Sequence, residues 1–207
     1  MLIHHPATYL ALGDSYTIGE GLPLHENYPY QLLQLLRQKG QHLHAAEVIA
    51  RTGWTSSELG EHLIHTLLED KYDWVSLLIG VNNHYRGLTV GDFSNDLHYL
   101  VNKCIHLCRQ EQKGVWLLGI PDWTCTPFAA QPDQRERFPL AEFNEVVRTT
   151  ATTMGVNYID ITPSSRQAAK DPDGLSQDGL HYSGKTYGQW AEMLEKGMSA
   201  IALSGGQ

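Results

Sequence analysis

The chain has three cysteines in 207 residues, and its Lys and Arg number 15 against 23 Asp and Glu, a net charge of −8. It also has no run of 18 apolar residues. Each shortage excludes something. Three thiols cannot all pair with one another. Cys104 and Cys108, four apart in a helical pattern, share a helix face as buried thiols, and Cys125 stands alone in a loop, so reduced thiols in a reducing compartment are expected. Without a long apolar run no transmembrane helix is expected, nor any integral membrane contact. The acidic balance disfavours nucleic acid as the main ligand, because nothing neutralises phosphates over an extended face, and it disfavours an anionic membrane surface. Met1 to Thr8, with His4, His5 and Pro6, lacks the basic start, apolar core and cleavage site of a signal peptide, so a cytoplasmic protein is expected. HExxH and CxxC are both missing. His42 and His44 in "HLHAAE" share a face if the segment is extended, but they read as exposed polar residues on an edge strand or loop, and no metal is expected. Thr17 stands where a Gly-x-Ser-x-Gly elbow around Ser15 needs its last glycine, which argues against the α/β-hydrolase fold.

What is present is alternation. Apolar residues make up 42% of the chain and charged ones 18%, as in a soluble globular domain, and the length suits one domain spanning 1–207. Strands are predicted at Thr8–Leu12, Ala45–Ala50, Trp74–Ile79, Val115–Ile120 and Val156–Ile161. Helices are predicted at Tyr28–Lys39, Ser56–Leu68, Asp92–Gln112, Leu140–Met154 and Lys185–Ile201. Gly40, Gly114 and Gly155 serve as stop signals, and Thr55, Ser56 or Ser57 as a cap. Strands alternating with helices over crossover-length connections predict a parallel sheet covered by helices on both faces. The proline-bearing loop from Thr124 to Pro139 is a candidate lid or pocket wall, and the "SGGQ" C-terminus reads as a frayed tail.

In such sheets ligands bind beyond the carboxyl ends of the strands. The residues there are Gly13-Asp14-Ser15, Arg51-Thr52-Gly53-Trp54, Gly80-Val81-Asn82-Asn83, Pro121-Asp122-Trp123 and, before the last helix, Asp178-Gly179-Leu180-His181. Singly, each has a plain structural reading: a serine that caps a helix, a glycine that permits a turn, an asparagine that accepts a left-handed conformation, a histidine on the surface. Together they answer what acyl transfer needs. A hydroxyl nucleophile (Ser15) needs a base (His181). The base needs an acceptor that fixes its tautomer, and Asp178 sits three residues before it. A developing oxyanion needs preorganised donors, for which the Ser15 amide, the Gly53 amide and the Asn82 side chain are candidates at adjacent strand ends.

The order and local sequence of these blocks resemble the SGNH branch of the GDSL esterases and lipases. "GDSYTIGEG" corresponds to the first block, with Tyr16 where the family name has leucine. Gly53 in "RTGWTSSEL" corresponds to the second, and "GVNN" to the third, usually Gly-x-Asn-Asp, so that Asn83 replaces the aspartate. "DGLH" corresponds to the last, Asp-x-x-His. "GVNNHYRG" and "IPDWTCTPF" look like stretches of a bacterial, lysophospholipase-like subgroup. The resemblance spans Gly13 to His181 and reaches the closing helix. It implies a flavodoxin-like three-layer αβα sandwich whose five parallel strands run in the order 2-1-3-4-5, and serine-dependent hydrolysis of an acyl ester through an acyl-enzyme, with no metal or other cofactor. The partner is then a small-molecule or lipid-like acyl ester. The rival enzymatic readings, a lysophospholipase or an acyl-thioesterase, share the machinery. The rival from another class is a non-catalytic ligand-binding domain on the same fold, which a covalent serine probe separates.

Trp54, Tyr85, Trp123, Phe128 and Tyr182 fall in or near the strand-end loops, where they either line an acyl pocket or pack the loops on the sheet. Arg86 either meets an anionic substrate or pairs with an acid such as Asp122, the pairing being the simpler choice. "GLHYSGKT" (179–186) fits the P-loop spacing, but it follows a polar, turn-rich segment rather than a buried strand and overlaps His181, so nucleotide binding is set aside.

Overall fold

The computed structural model describes residues 6–130 and 139–204. The N-terminal residues up to His5, the middle of the candidate lid and the last residues of the "SGGQ" tail lie outside the described residues.

A five-stranded parallel sheet runs in the order β2-β1-β3-β4-β5, as the resemblance implies. Its strands are β1 (Tyr9–Asp14), β2 (Glu47–Arg51), β3 (Trp74–Leu78), β4 (Val115–Leu118) and β5 (Asn157–Ile159). The helices are α1 (Ser15–Ile18), α2 (Tyr28–Gln38), α3 (Ser56–His65), α4 (Val81–Tyr85), α5 (Val90–Leu107), α6 (Leu140–Met154), α7 (Thr162–Ala168) and α8 (Gly184–Ser204). α2 packs on α8 to make one layer, and α5 packs between α3 and α6 to make the other. β1, β3 and β4 are buried along their whole length, as strands covered on both faces must be.

One set of polar groups inside this core is matched across its layers. Ser76 on β3 bonds the hydroxyl of Tyr9 on β1 at 2.7 Å and meets that of Tyr28 on α2 at 3.4 Å. Gly197 lets α8 close on the sheet, because a Cβ there would lie 2.3 Å from the Trp116 ring.

Several boundaries differ from the sequence reading, each for a local reason. The helix predicted to reach Gln112 stops at Leu107. Cys108 turns extended (φ −88°, ψ 129°) and bridges to Tyr72. Gly114 is therefore not a helix stop. A side chain there would meet the Cys108 sulfur at 2.4 Å, so the glycine permits a close approach. α3 ends at His65 rather than Leu68, and its cap is Thr55, which forms a reciprocal capping box with Glu58. β2 runs from Glu47 rather than Ala45, and β5 is only three residues long. Three short helices, α1, α4 and α7, were not expected.

Cys104 and Cys108 are buried and Cys125 exposed, all three unpaired. His42 and His44 are exposed, and the described residues hold no group of three or more metal-binding side chains. No described helix is long and apolar enough to cross a membrane.

Candidate active site

The register places the carboxyl ends of β2, β1 and β3 side by side: Gly13 pairs with Ala50 of β2 and Leu78 of β3, and Asp14 with Arg51. The chain must turn sharply there. A Cβ on Gly13 would lie 2.1 Å from the Thr17 hydroxyl and 2.3 Å from the Leu78 carbonyl oxygen, so only glycine fits. Asp14 then caps α1, its Oδ1 accepting the Tyr16 N–H at 3.0 Å. Ser15 is thereby fixed as the first residue of α1, directly beyond β1, and is nearly enclosed. Asp14 itself is fully buried, its Oδ2 has no hydrogen-bond partner, and burial pushes its carboxyl pKa up to about 7.

A cavity of about 150 Å³ opens at this end of the sheet. Ser15, Gly53, Asn82 and His181 all line it, brought together from four separate segments of the chain. Tyr85, Trp123 and Phe128 form its aromatic wall. Trp123 and Tyr85 meet edge to face at 5.4 Å, and Phe128 lies 6.2 Å from Tyr85. The buried Trp123 is held by a hydrogen bond from its Nε1 to Nδ1 of His84 at 3.0 Å. Thr52, Val81 and Leu180, all in the strand-end segments, also line the cavity, as does Tyr16, which had no predicted site role. Each of the four directly neighbours a candidate site residue in sequence, Tyr16 beside Ser15, Thr52 beside Gly53, Val81 beside Asn82 and Leu180 beside His181. Tyr16 packs edge to face on the His181 ring at 5.4 Å.

Of the five aromatic residues in the strand-end loops, two pack the loops instead of lining the cavity. Trp54 packs its ring on His62 at 4.7 Å, and Tyr182 is buried against Tyr16, Tyr187 and Trp190.

The loop before α8 builds the acid–histidine pair. Asp178 Oδ1 accepts from the Ser176 hydroxyl at 2.8 Å and from the N–H groups of Leu180 and His181, both at 2.9 Å. Its Oδ2 lies 2.6 Å from His181 Nδ1. Burial works against the charge of Asp178, but the hydrogen bonds from His181, Leu180 and Ser176 outweigh it and hold the carboxyl well below the usual range. Gly179 makes the turn possible at φ +67°, and its carbonyl accepts the Phe128 N–H at 3.1 Å. The P-loop-like segment is thus absorbed: His181 faces the cavity and Gly184 starts α8.

Asn82 and Asn83 divide the work of the third block. Asn82 Nδ2 donates to the Trp54 carbonyl at 2.9 Å, which uses one of its two hydrogens and leaves the other. Asn83 is buried. Its Oδ1 accepts the Ser56 N–H at 2.9 Å, and its Nδ2 donates to the Ser56 hydroxyl at 2.7 Å. Asn83, standing where the block usually has aspartate, thus fastens the first residue of α3. The Ser56 hydroxyl in turn donates to Asp96, so an amide suits the position: a carboxylate has no N–H to give.

Arg86 does not pair with Asp122. It reaches Glu58 at 3.2 Å and the Gly53 carbonyl at 2.5 Å, while Asp122 takes Arg166 at 2.7 Å. The reason is placement: Arg86 directly follows α4, whose side chains hold the loop before α3.

The model of the GDSL-like lipase/acylhydrolase family matches residues 11–189 of the chain. No curated protein sequence matches it. Many solved structures share the fold. TesA superposes with a TM-score of 0.72 at 21% identity, covering 94% of this chain and 99% of its own. A lipase/acylhydrolase from Enterococcus faecalis gives 0.71 at 19%, covering 91% and 94%. Axe2, an acetylxylan esterase from Geobacillus stearothermophilus, gives 0.70 at 19%, covering 96% of each chain.

Proposed function

The chain belongs to the GDSL-like lipase/acylhydrolase family, and from that premise we propose that it is a single-domain serine hydrolase that cleaves carboxylic esters through an acyl-enzyme. The observation that carries this reading is the His181–Asp178 pair, closed at 2.6 Å, on the wall of the same cavity as Ser15. With Nδ1 turned to Asp178, Nε2 is the nitrogen left to act as base. Ser15 Oγ attacks the acyl carbon and gives its proton to His181. The Ser15 and Gly53 N–H groups and the second hydrogen of Asn82 Nδ2 hold the oxyanion. Collapse of the tetrahedral intermediate expels the alcohol, protonated by His181, and leaves acyl-Ser15. A water, deprotonated by His181, then releases the acid.

The cavity argues for the size of the acyl group. At about 150 Å³ it matches an apolar cavity that elsewhere holds one benzene ring, so a short acyl chain fits it better than a long one. That favours a short-chain esterase over a lysophospholipase. Three unpaired cysteines support the cytoplasm as its place of work.

The test is covalent. A fluorophosphonate probe should add one adduct, mapped to Ser15, and Ser15→Ala should take none. Labelling that survives Ser15→Ala, or a wild type that neither labels nor hydrolyses short esters, overturns the proposal and leaves the ligand-binding alternative.

A further inference from the structure

We propose that Arg86 is the positioning residue of the oxyanion hole, acting by pinning the Gly53 peptide. The inference rests on the reading of Gly53 and Asn82 as oxyanion donors.

Gly53 sits at φ +82°, a conformation that glycine adopts freely and leaves as freely. A backbone donor at such a residue needs an external anchor if it is to be preorganised. The guanidinium of Arg86 supplies one, its Nη2 donating to the Gly53 carbonyl at 2.5 Å. The guanidinium is itself fixed, since Nη1 donates to Glu58 Oε1 at 3.2 Å. Glu58 cannot swing away, because its Oε2 accepts the Thr55 N–H at 2.8 Å in the capping box of α3. The Thr55 N–H, and after it Arg86, holds the Glu58 carboxyl below its usual range against a burial effect that raises it, so the anchor stays charged.

The rest of the loop is held from the same short segment. Asn82 takes the Trp54 carbonyl and Asn83 the Ser56 N–H. Side chains at 82, 83 and 86 thus fasten the backbone at 54, 56 and 53. The two proposed donors, the Gly53 N–H and Asn82 Nδ2, become one rigid unit although they follow different strands. Removing Arg86 leaves both donors present but frees one to move, and a misplacement of about 1 Å can cost about 10² in rate.

The experiment compares wild type, Arg86→Ala and Arg86→Lys on a neutral ester, p-nitrophenyl acetate, with inhibition by a trifluoromethyl ketone that forms a tetrahedral adduct on the serine. Arg86→Ala should lose roughly 10–10² in kcat with KM changed less than about twofold, and the ketone should weaken by a similar factor. Arg86→Lys, which can still donate to the carbonyl but cannot bridge it to Glu58 with a planar fork, should fall between the two. Melting temperatures screen for misfolding. If Arg86→Ala folds poorly, the lysine variant alone decides, read in the same way. An unchanged kcat, or a rise in KM alone, overturns the inference. So does a loss in kcat that leaves the ketone as tight as before. A wild type that takes no phosphonate on Ser15 overturns the esterase reading instead, and this inference with it.

Discussion

Asp178 Oδ2 lies 2.6 Å from Nδ1 of His181, only three residues further along the same loop. The acid and base of the proposed triad therefore come from one turn, and only the nucleophile from the far end of the chain. Asp178 does two jobs there: Oδ2 orients the imidazole, and Oδ1 ties Ser176, Leu180 and His181 into the turn.

The two jobs separate by mutation. Ser15→Ala and His181→Ala should fall to background on an activated short-chain ester, since no neighbour replaces bond making or proton transfer. Asp178→Ala should lose less, about 10–10³-fold in kcat, because water can take the Nδ1 proton. Asp178→Asn can keep the Oδ1 bonds of the turn, yet its amide favours the wrong imidazole tautomer. The same change in a serine protease costs about 10⁴. The better-folded variant should then be the slower one. Steady-state rates beside melting curves check this, and Asp178→Ala as inactive as Ser15→Ala would contradict it.

The two adjacent asparagines should fail differently. Asn82→Ala should lower kcat by roughly 10²–10³ with little change in KM, since its donor acts in the transition state. Asn83→Ala leaves the buried Ser56 N–H unmet and should cost about 1–3 kcal/mol of stability. Urea titration and kinetics on both variants test the division. An Asn82→Ala that is kinetically silent, with the catalytic loss at Asn83, would reverse the assignment.

How much of this was legible in the sequence follows from what periodicity can carry. The five strands and five long helices were found because buried parallel strands are apolar at nearly every position and long helices show a stripe. α1, α4 and α7 were missed because four, five or seven residues are too few for a stripe. Two of them, α1 and α4, carry Ser15 and Asn82, so the positions that matter most were located by block resemblance and strand-end logic, not by pattern. The sequence left Trp54 open between lining the pocket and packing its loop; its ring packs on His62, because which side of a loop a ring takes depends on tertiary packing. Arg86 pairs with an acid, as its sequence context suggested, but with Glu58 rather than Asp122: the two are equally acidic in sequence, and only the fold decides which one Arg86 meets.

The aromatic wall should set chain length. Phe128 is partly buried and joins the cavity to the Asp178 loop. Phe128→Ala opens the cavity without touching the proposed triad. Relative to wild type, kcat/KM for an octanoyl ester should rise against that for a butyryl ester by tenfold or more, since each methylene newly accommodated is worth about 1–3 kcal/mol. A panel of p-nitrophenyl esters from C2 to C10 checks it. An unaltered ratio would place the acyl chain elsewhere.

Asp14 makes the pH prediction. It precedes the nucleophile, is fully buried, and has one oxygen with no hydrogen-bond partner. Burial raises its carboxyl pKa to about 7 from 3.8. The sign follows from proton counting. Below about pH 4 the group is protonated in both folded and unfolded chains and contributes no difference. Between about 4 and 7 the folded state keeps a proton that the unfolded state has released, so stability falls as pH rises. Above about 7 both are ionised, and the full penalty persists, on the order of 4 kcal/mol. Asp14→Asn removes the titration, while its side-chain oxygen can still accept the Tyr16 N–H that caps α1. The melting temperature of Asp14→Asn minus that of wild type should therefore grow steadily from pH 5 to pH 7.5 and then level. Calorimetry across that range measures it directly. A difference that is flat with pH, or one that shrinks as pH rises, would mean that the carboxylate finds a partner as it ionises. The carboxyl beneath the nucleophile would then be a stabilised anion, not the strained group that its burial implies.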